Sequence, residues 1–301
     1  MFMPDKEISE DQAQFFFDNG YLIIRGVLHP EELSGVQSAM LELMENAPGK
    51  LINPDYAYGK STLTGDPILT RIDYVIEKRD VMKSLLGHPY ILGSTERLMG
   101  SDLIPTWDSM VLKFPGEGVI VPWHRDAGAD QVGDKPIFNV DFYLDEATEQ
   151  NCVWVIPESQ KWSTNAANAW LAQHSKQDTT PEQFRASGAI PVTMAPGDVL
   201  FHDILVLHGS PTTFAKSMRR VVYYEFRTAH VEDSIGPHIA DYIPLKQKVL
   251  LACIKHRMKE AYAQAETPFS YNPPSPYDKV TLRENESLES YRYTHEKYWR
   301  K

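Results

Sequence analysis

The chain has 301 residues, 42% of them hydrophobic, with 30 basic against 41 acidic residues for a net charge of −11. That is enough for one large domain with its own core, since barrel and sandwich folds often run past about 200 residues undivided. The acidic balance argues against nucleic acid or an anionic membrane as partner. No apolar run of about 18 residues offers a span, and no charged-then-apolar leader stands at the start. Two cysteines, Cys152 and Cys253, read as buried thiols in a reducing, cytoplasmic compartment rather than as a disulfide framework.

In chain order, Ser9-Glu10-Asp11-Gln12 is a capping-box start for a helix that Gly20 ends, and a strand follows over 20–24. Pro30 opens a second helix whose apolar face carries Leu33, Val36, Met40, Leu43 and Met44. The helical portion, about 1–100, is expected to buttress the back of a β core spanning about 107–228. Residues 51–70 are polar and turn-rich and read as a lid, which makes Tyr58 a candidate substrate contact. Trp107 and Asp108, just before the core strand 111–114, are two more, against the plainer reading of a buried Trp beside a satisfied Asp. A turn at 115–118 then leads through 119–122 to Trp123-His124-Arg125-Asp126, a Gly/Asp-rich loop and the strand 137–144. Residues 161–187 insert a helix-like stretch bearing Trp162 and Trp170. Pro196-Gly197-Asp198 starts a strand that runs to His208, and Gly209-Ser210-Pro211 breaks it before a second strand from Arg219 to Arg227. An extension, about 230–301, carries a helix near 244–264 and a Pro-rich ending with Phe269, Tyr271, Tyr277, Tyr291, Tyr293, Tyr298 and Trp299. Those rings either pack the tail on the core, form a homodimer contact or line a pocket.

Three of these residues carry chemistry together. His124 and Asp126, two positions apart, with His208 far downstream, match the two-histidine, one-carboxylate triad of non-haem Fe(II) oxygenases. A strand-to-loop position holds backbone direction while leaving side chains open to a ligand. The competing reading makes His124 and Asp126 a local hydrogen-bonded pair. His230-Val231-Glu232 repeats the His-x-acid spacing but has no Arg-bearing strand behind it, and reads as surface polar residues. Arg219, eleven residues after His208, supplies a fixed cation for the remote carboxylate of 2-oxoglutarate, on a hairpin expected to set the two on neighbouring strands. Arg219 and Arg220 face opposite ways on a strand, and Val222, Tyr224 and Phe226 share a face with Arg220. Apolar parity would therefore turn Arg220 inward, whereas spacing selects Arg219, and Arg220 stays open as the alternative. No hydrolase elbow, P-loop or dinucleotide fingerprint competes.

The stretch from Trp107 to Arg227 resembles the phytanoyl-CoA dioxygenase family of Fe(II)/2-oxoglutarate oxygenases. The matching pieces are Pro115-Gly116, Trp123-His124-Arg125-Asp126, Val155-Ile156-Pro157 with Ser159, the run from Pro196 to Phe201, His208-Gly209-Ser210 and Arg219. One departure is the family's Pro-Gly-Ser-His, which reads Pro157-Glu158-Ser159-Gln160 here and touches turn shape rather than chemistry. The resemblance implies a mainly β fold with flanking helices around a double-stranded β-helix (jelly-roll, cupin-like) core. It implies Fe(II), 2-oxoglutarate and O2 as cofactor and cosubstrates. Ser210 is implied as a cosubstrate contact, and Arg71 as a second basic one. Related halogenases replace the carboxylate ligand by a small residue, so Asp126 makes that chemistry unavailable. The expected activity is oxidation, foremost hydroxylation, of an unactivated C–H in a small-molecule metabolite or natural product, releasing succinate and CO2. Acyl-CoA 2-hydroxylation of the phytanoyl type and a non-catalytic jelly-roll binding or sensor protein are the alternatives.

Overall fold

The computed structural model describes residues 6–49, 52–126, 133–212, 215–284, 286, 288 and 291–301. The Gly/Asp-rich loop expected after Asp126 lies mostly outside the described residues. Among these residues, eleven strands form two antiparallel sheets. The larger has the order β1 (Tyr21–Ile24), β9 (Val199–Asp203), β6 (Phe138–Tyr143), β11 (Arg219–Thr228), β4 (Leu103–Lys113), β3 (Pro67–Asp73), β2 (Tyr56–Lys60). The smaller runs β5 (Val121–His124), β10 (Leu207–Ser210), β7 (Val153–Ile156), β8 (Ile190–Val192). This is the jelly-roll core with flanking helices that the sequence led us to expect.

Alternation along the strands explains the layering. Val140, Phe142, Val222, Tyr224 and Phe226 pack outward, together with Met110 and Leu112, against helices. Those helices include α1 (Glu10–Asn19), α2 (Pro30–Glu45), α4 (Asp80–Leu86), α5 (Pro89–Met99) and α9 (Tyr242–Arg257). Tyr143, Leu200 and Val221 instead point inward and meet Trp154, Ile156 and Leu207 of the smaller sheet. The most apolar face of the large sheet is thus its helix-covered back. Its inner face is where polar groups can be spent on a ligand.

The helix signals behave as their chemistry dictates. Ser9 and Gln12 form the capping box of α1, and Gly20 closes it in the left-handed region at φ 79°. In α2, Val36, Met40 and Leu43 are buried, each contributing roughly 1.5–3 kcal/mol by its removal from water. The insertion contains α6 (Thr164–His174) and α7 (Pro181–Ala186). Among the tail aromatics, Tyr291 joins the core behind the sheet, Tyr293 packs on Trp107, and Tyr298 on Tyr242.

Three expectations are corrected. The segment expected as a loop-like lid is mainly the hairpin β2–β3, which extends the edge of the large sheet next to β4. The single strand expected to reach His208 is two: β9 belongs to the large sheet, and the chain turns at 204–206 before β10 enters the small one. His208 and Arg219 consequently do not share a hairpin but face each other from opposite sheets. Apolar residues at 204–207 continue the hydrophobic run through that corner, which hid the break. Glu232, expected at the surface, is 1% exposed in α8 (Ala229–Ile235) and pairs with Arg227 and His238; His230 is exposed.

Candidate metal centre and cosubstrate pocket

β5 and β10 are antiparallel neighbours in a register that sets His124 directly opposite His208. Their rings stack obliquely with centroids 4.2 Å apart. Gly209 permits this closeness, since a Cβ there would stand 3.0 Å from the Val121 carbonyl oxygen and 3.2 Å from Trp123 N. Each ring is oriented from its far nitrogen: His124 Nδ1 lies 2.8 Å from the Pro122 carbonyl and His208 Nδ1 3.0 Å from that of Val206. Donation there leaves both Nε2 atoms as the free lone pairs. Asp126 follows β5, where its backbone N–H donates to the Ile204 carbonyl at 2.9 Å. Its Oδ1 sits 3.5 Å from His124 Nε2 and 3.7 Å from His208 Nε2. One ligand atom from each of the three lies within 4.8 Å of the others, a set sized for one cation.

The electrostatics suit a cation. Burial, reinforced by His124, pushes His208 down to about 3, so its imidazole is neutral near pH 7 and ready to ligate. Burial acts to raise the Asp126 carboxyl, but His208, His124 and His202 outweigh it and hold the group well below the usual carboxylate range. His124 is drawn the other way: burial lowers it, and Asp126 more than compensates, leaving it raised. Asp126 Oδ2 accepts from Asn139 Nδ2 at 2.8 Å and lies 3.3 Å from His202 Nε2, which fixes the carboxylate's orientation. The His202 imidazole stands between Asp126 and Asp141, whose Oδ2 is 2.9 Å from Nδ1. Desolvation opposes protonation of His202, but these carboxylates prevail and raise it to about 10.

A cavity of about 430 Å³ opens beside the triad, lined from both sheets. At one end Arg219 and Lys113, register partners on β11 and β4, are each 2% exposed with no carboxylate partner among the described residues. Arg219 donates to the Asn151 carbonyl at 2.7 Å and Lys113 to that of Pro211 at 2.6 Å. Arg219 Nε and the Tyr143 hydroxyl have no hydrogen-bond partner among the described residues. Burial and then the Arg219 charge push the Lys113 ammonium well below the usual lysine range. A buried guanidinium, a buried amine whose charged form its surroundings disfavour and a buried hydroxyl with no acceptor among the described residues together suit an anion. A carboxylate fits. Ser210, 1% exposed, donates to the Cys152 carbonyl at 2.7 Å and also lines this cavity.

The layering sends the two arginines to opposite sides of the large sheet. Arg220 shares the apolar parity because it points to the helical back, where it grips Asp145 through Nη2 at 2.8 Å and Nε at 2.9 Å and reaches the Gln37 carbonyl of α2 at 3.0 Å. Arg71 reaches the cavity from β3, but its guanidinium is matched by Asp73 at 2.9 Å and 45% exposed, which makes it the weaker anion contact.

The substrate contacts expected at Tyr58, Trp107 and Asp108 are not among the residues lining this cavity. Tyr58 donates its hydroxyl to the Pro48 carbonyl, leaving neighbouring Gly59 on the wall. Trp107 packs between Tyr74 and Tyr293, and buried Asp108 caps the Ile76 amide at 2.9 Å on the far face of β4. The sequence reading passed over Lys113, Asn139, Asp141, Tyr143, His202 and Tyr223. A signal for three of them was present: polar 139, 141 and 143 alternate with apolar 138, 140 and 142 on one strand. Arg125, between two ligands, turns away to the carbonyls of Ser159 and Trp162. Glu158, where the resembling motif has glycine, adopts φ 65°, so that turn keeps the backbone a glycine would favour.

Residues 16–221 match the family model described as phytanoyl-CoA dioxygenase (PhyH). A 2-aminoethylphosphonate dioxygenase from the uncultured bacterium HF130_AEPn_1 is 23% identical over 270 residues, 88% of this chain and 98% of its own. A probable alpha-ketoglutarate-dependent hypophosphite dioxygenase of Stutzerimonas stutzeri is 21% identical, covering 75% of this chain and 81% of its own. Among solved structures, iron-bound EctD from S. alaskensis aligns with a TM-score of 0.60 at 19% identity, over 76% of this chain and 80% of its own. The carbocyclase SnoK from nogalamycin biosynthesis gives 0.58 at 19%, over 74% and 85%. At those identities the structural likeness is one of fold.

Proposed function

The chain belongs to the phytanoyl-CoA dioxygenase family, a class of dioxygenases using Fe(II), 2-oxoglutarate and O2, and from that premise we propose that it hydroxylates an unactivated C–H of a compact small molecule. One observation carries the reading: three ligand atoms converge within 4.8 Å, in a cavity whose far end holds buried Arg219 and Lys113 without carboxylate partners among the described residues.

In this reading His124, Asp126 and His208 would hold the iron. Arg219 presents its planar fork to the C5 carboxylate of 2-oxoglutarate. Lys113, Tyr143 and Ser210 complete that end, and Arg71 stands as a secondary basic contact nearer the exposed side. When bound, the iron with its cosubstrates supplies the C–H oxidation and releases succinate and CO2. The protein's own share is position and dryness. Asn139 and His202 fix the Asp126 carboxylate, the carbonyls of Pro122 and Val206 aim the two imidazoles, and Val111, Val121 and Val221 keep the wall apolar next to them.

Cavity size bears on the substrate. About 430 Å³ falls at the small end of ligand pockets, roughly 300–1,000 Å³, and the cosubstrate must share it. That supports a compact metabolite over a coenzyme A thioester, whose nucleotide would have to lie outside. The test is turnover under isotopically labelled O2 with a metabolite panel. A product heavier by one labelled oxygen, formed with one succinate, supports hydroxylation. A product lacking two hydrogens and no label would replace it by desaturation or ring closure.

A further inference from the structure

The inner wall of the large sheet is polar in two opposite senses, and register locates the change. Along the strands, the row Lys113–Arg219 is followed by Arg71–Val111–Val221–Tyr143, then by Asp73–Ser109–Tyr223–Asp141, then by Glu225–Asn139–His202. Buried atoms without a hydrogen-bond partner among the described residues divide largely the same way, His202 Nδ1, 2.9 Å from Asp141 Oδ2, being the donor among the acceptors. Arg219 Nε and the Tyr143 hydroxyl, at the cosubstrate end, can donate. Asn139 Oδ1 and Asp141 Oδ1, beyond the metal ligands, can only accept. Both residues are 5% exposed, and both line the cavity.

The orientation of these acceptors is determined by their neighbours. Asp126 Oδ2 accepts only, so the amide nitrogen of Asn139 must face it at 2.8 Å, which leaves the amide oxygen buried on the other side without a partner among the described residues. Asp141 spends Oδ2 on His202 and keeps Oδ1 free. Two positions apart on β6, they present a carboxylate oxygen and an amide oxygen from the same face. A buried carboxylate oxygen without a donor is costly, and a charged donor offsets that cost best.

Resting on the oxygenase reading above, we propose that Asp141 and Asn139 form the substrate-recognition subsite and that they bind a protonated amine. An alcohol carries one donor and can satisfy one of the two oxygens. An ammonium carries three donors and satisfies both, with a charge opposite to that of Asp141. The substrate's amine then anchors beyond the metal while its carbon chain, lying against Val111 and Val221, presents a C–H between the two polar ends.

The test uses the full chain loaded anaerobically with Fe(II) and 2-oxoglutarate. Linear primary amines of about three to six carbons, each paired with the alcohol of equal length, are titrated while the visible iron-to-cosubstrate band is followed. Expected is a perturbation half-saturating at least about tenfold lower for each amine than for its alcohol, the ratio for one charge-assisted hydrogen bond. Succinate formation on admitting O2 should follow the same order. Asp141→Asn should collapse the amine-to-alcohol ratio towards one. A role for Asp141 confined to supporting His202 would weaken both members of each pair alike and keep the ratio, which overturns the proposal. Alcohols binding as well as amines, or no amine perturbing the band, overturns it too and points to water as the partner of these oxygens. Failure of the band to form before any amine is added strikes the parent reading, and this inference with it.

Discussion

Replacing Arg219 separates the two arginines that parity and spacing assigned differently. Arg219→Ala removes a buried guanidinium whose Nε has no partner among the described residues and whose Nη1 donates to the Asn151 carbonyl. Hydrogen bonds to charged groups contribute roughly 1.5–3 kcal/mol each, so a two-pronged grip on a carboxylate is worth at least about 3 kcal/mol. At about 1.4 kcal/mol per tenfold, half-saturation by 2-oxoglutarate should rise about a hundredfold or more. Lys113 and Tyr143 retain what binding is left. Arg220→Ala acts on a different quantity. It strands Asp145, whose side chain is 19% exposed, and frees the Gln37 carbonyl, so stability should fall by about 2–3 kcal/mol while the 2-oxoglutarate requirement holds within about twofold. The assay is succinate formation against 2-oxoglutarate concentration, beside chemical denaturation of both variants. A cosubstrate defect in Arg220→Ala with none in Arg219→Ala would refute the reasoning.

Asp126→Ala should lose iron and all coupled product formation, read by metal analysis and product assay; full product would remove Asp126 from the triad. Lys113→Met keeps the length of a buried side chain and removes its charge, so half-saturating 2-oxoglutarate should rise about tenfold while stability by denaturation is kept or improved. Unchanged half-saturation would take Lys113 out of the cosubstrate end. Asp108 carries a pH prediction. Burial raises its carboxyl to about 6, above the unfolded 3.8, so its stability contribution is complete below about pH 4 and lost as pH rises through 6, up to about 3 kcal/mol. The stability of Asp108→Asn relative to the parent should therefore improve from pH 5 to pH 8, with turnover unchanged; a flat difference would contradict the burial argument.

Much of the site was legible because its chemistry is compact in sequence. His124 and Asp126 are two apart at a strand end, and His208 stands in the short β10, which ends before Pro211. The helix caps were equally local, down to the Ser9–Gln12 box and the left-handed Gly20. What failed was whatever depends on which sheet a strand joins. The run from Val199 to Leu207 is apolar but for His202 and Asp203, and the apolar residues at 204–207 carry the pattern through the corner at 204–206 where it changes sheets. Parity pointed to Arg220 because the most apolar face of β11 packs on helices, a partner the strand pattern does not disclose. Lys113, read as an ordinary strand residue, becomes functional only through its register opposite Arg219. Tyr58 was chosen for its place in the expected lid, Trp107 and Asp108 for closeness in sequence to the core strand, and contacts with Pro48, Tyr74, Tyr293 and Ile76 draw them elsewhere.

The most direct test of the central claim is the anaerobic visible spectrum of the metal-free protein given Fe(II) and then 2-oxoglutarate. A weak charge-transfer band in the green, appearing only with both and absent in His208→Ala, is the predicted result. A folded protein that shows no band with both, or keeps the band in His208→Ala, would contradict it.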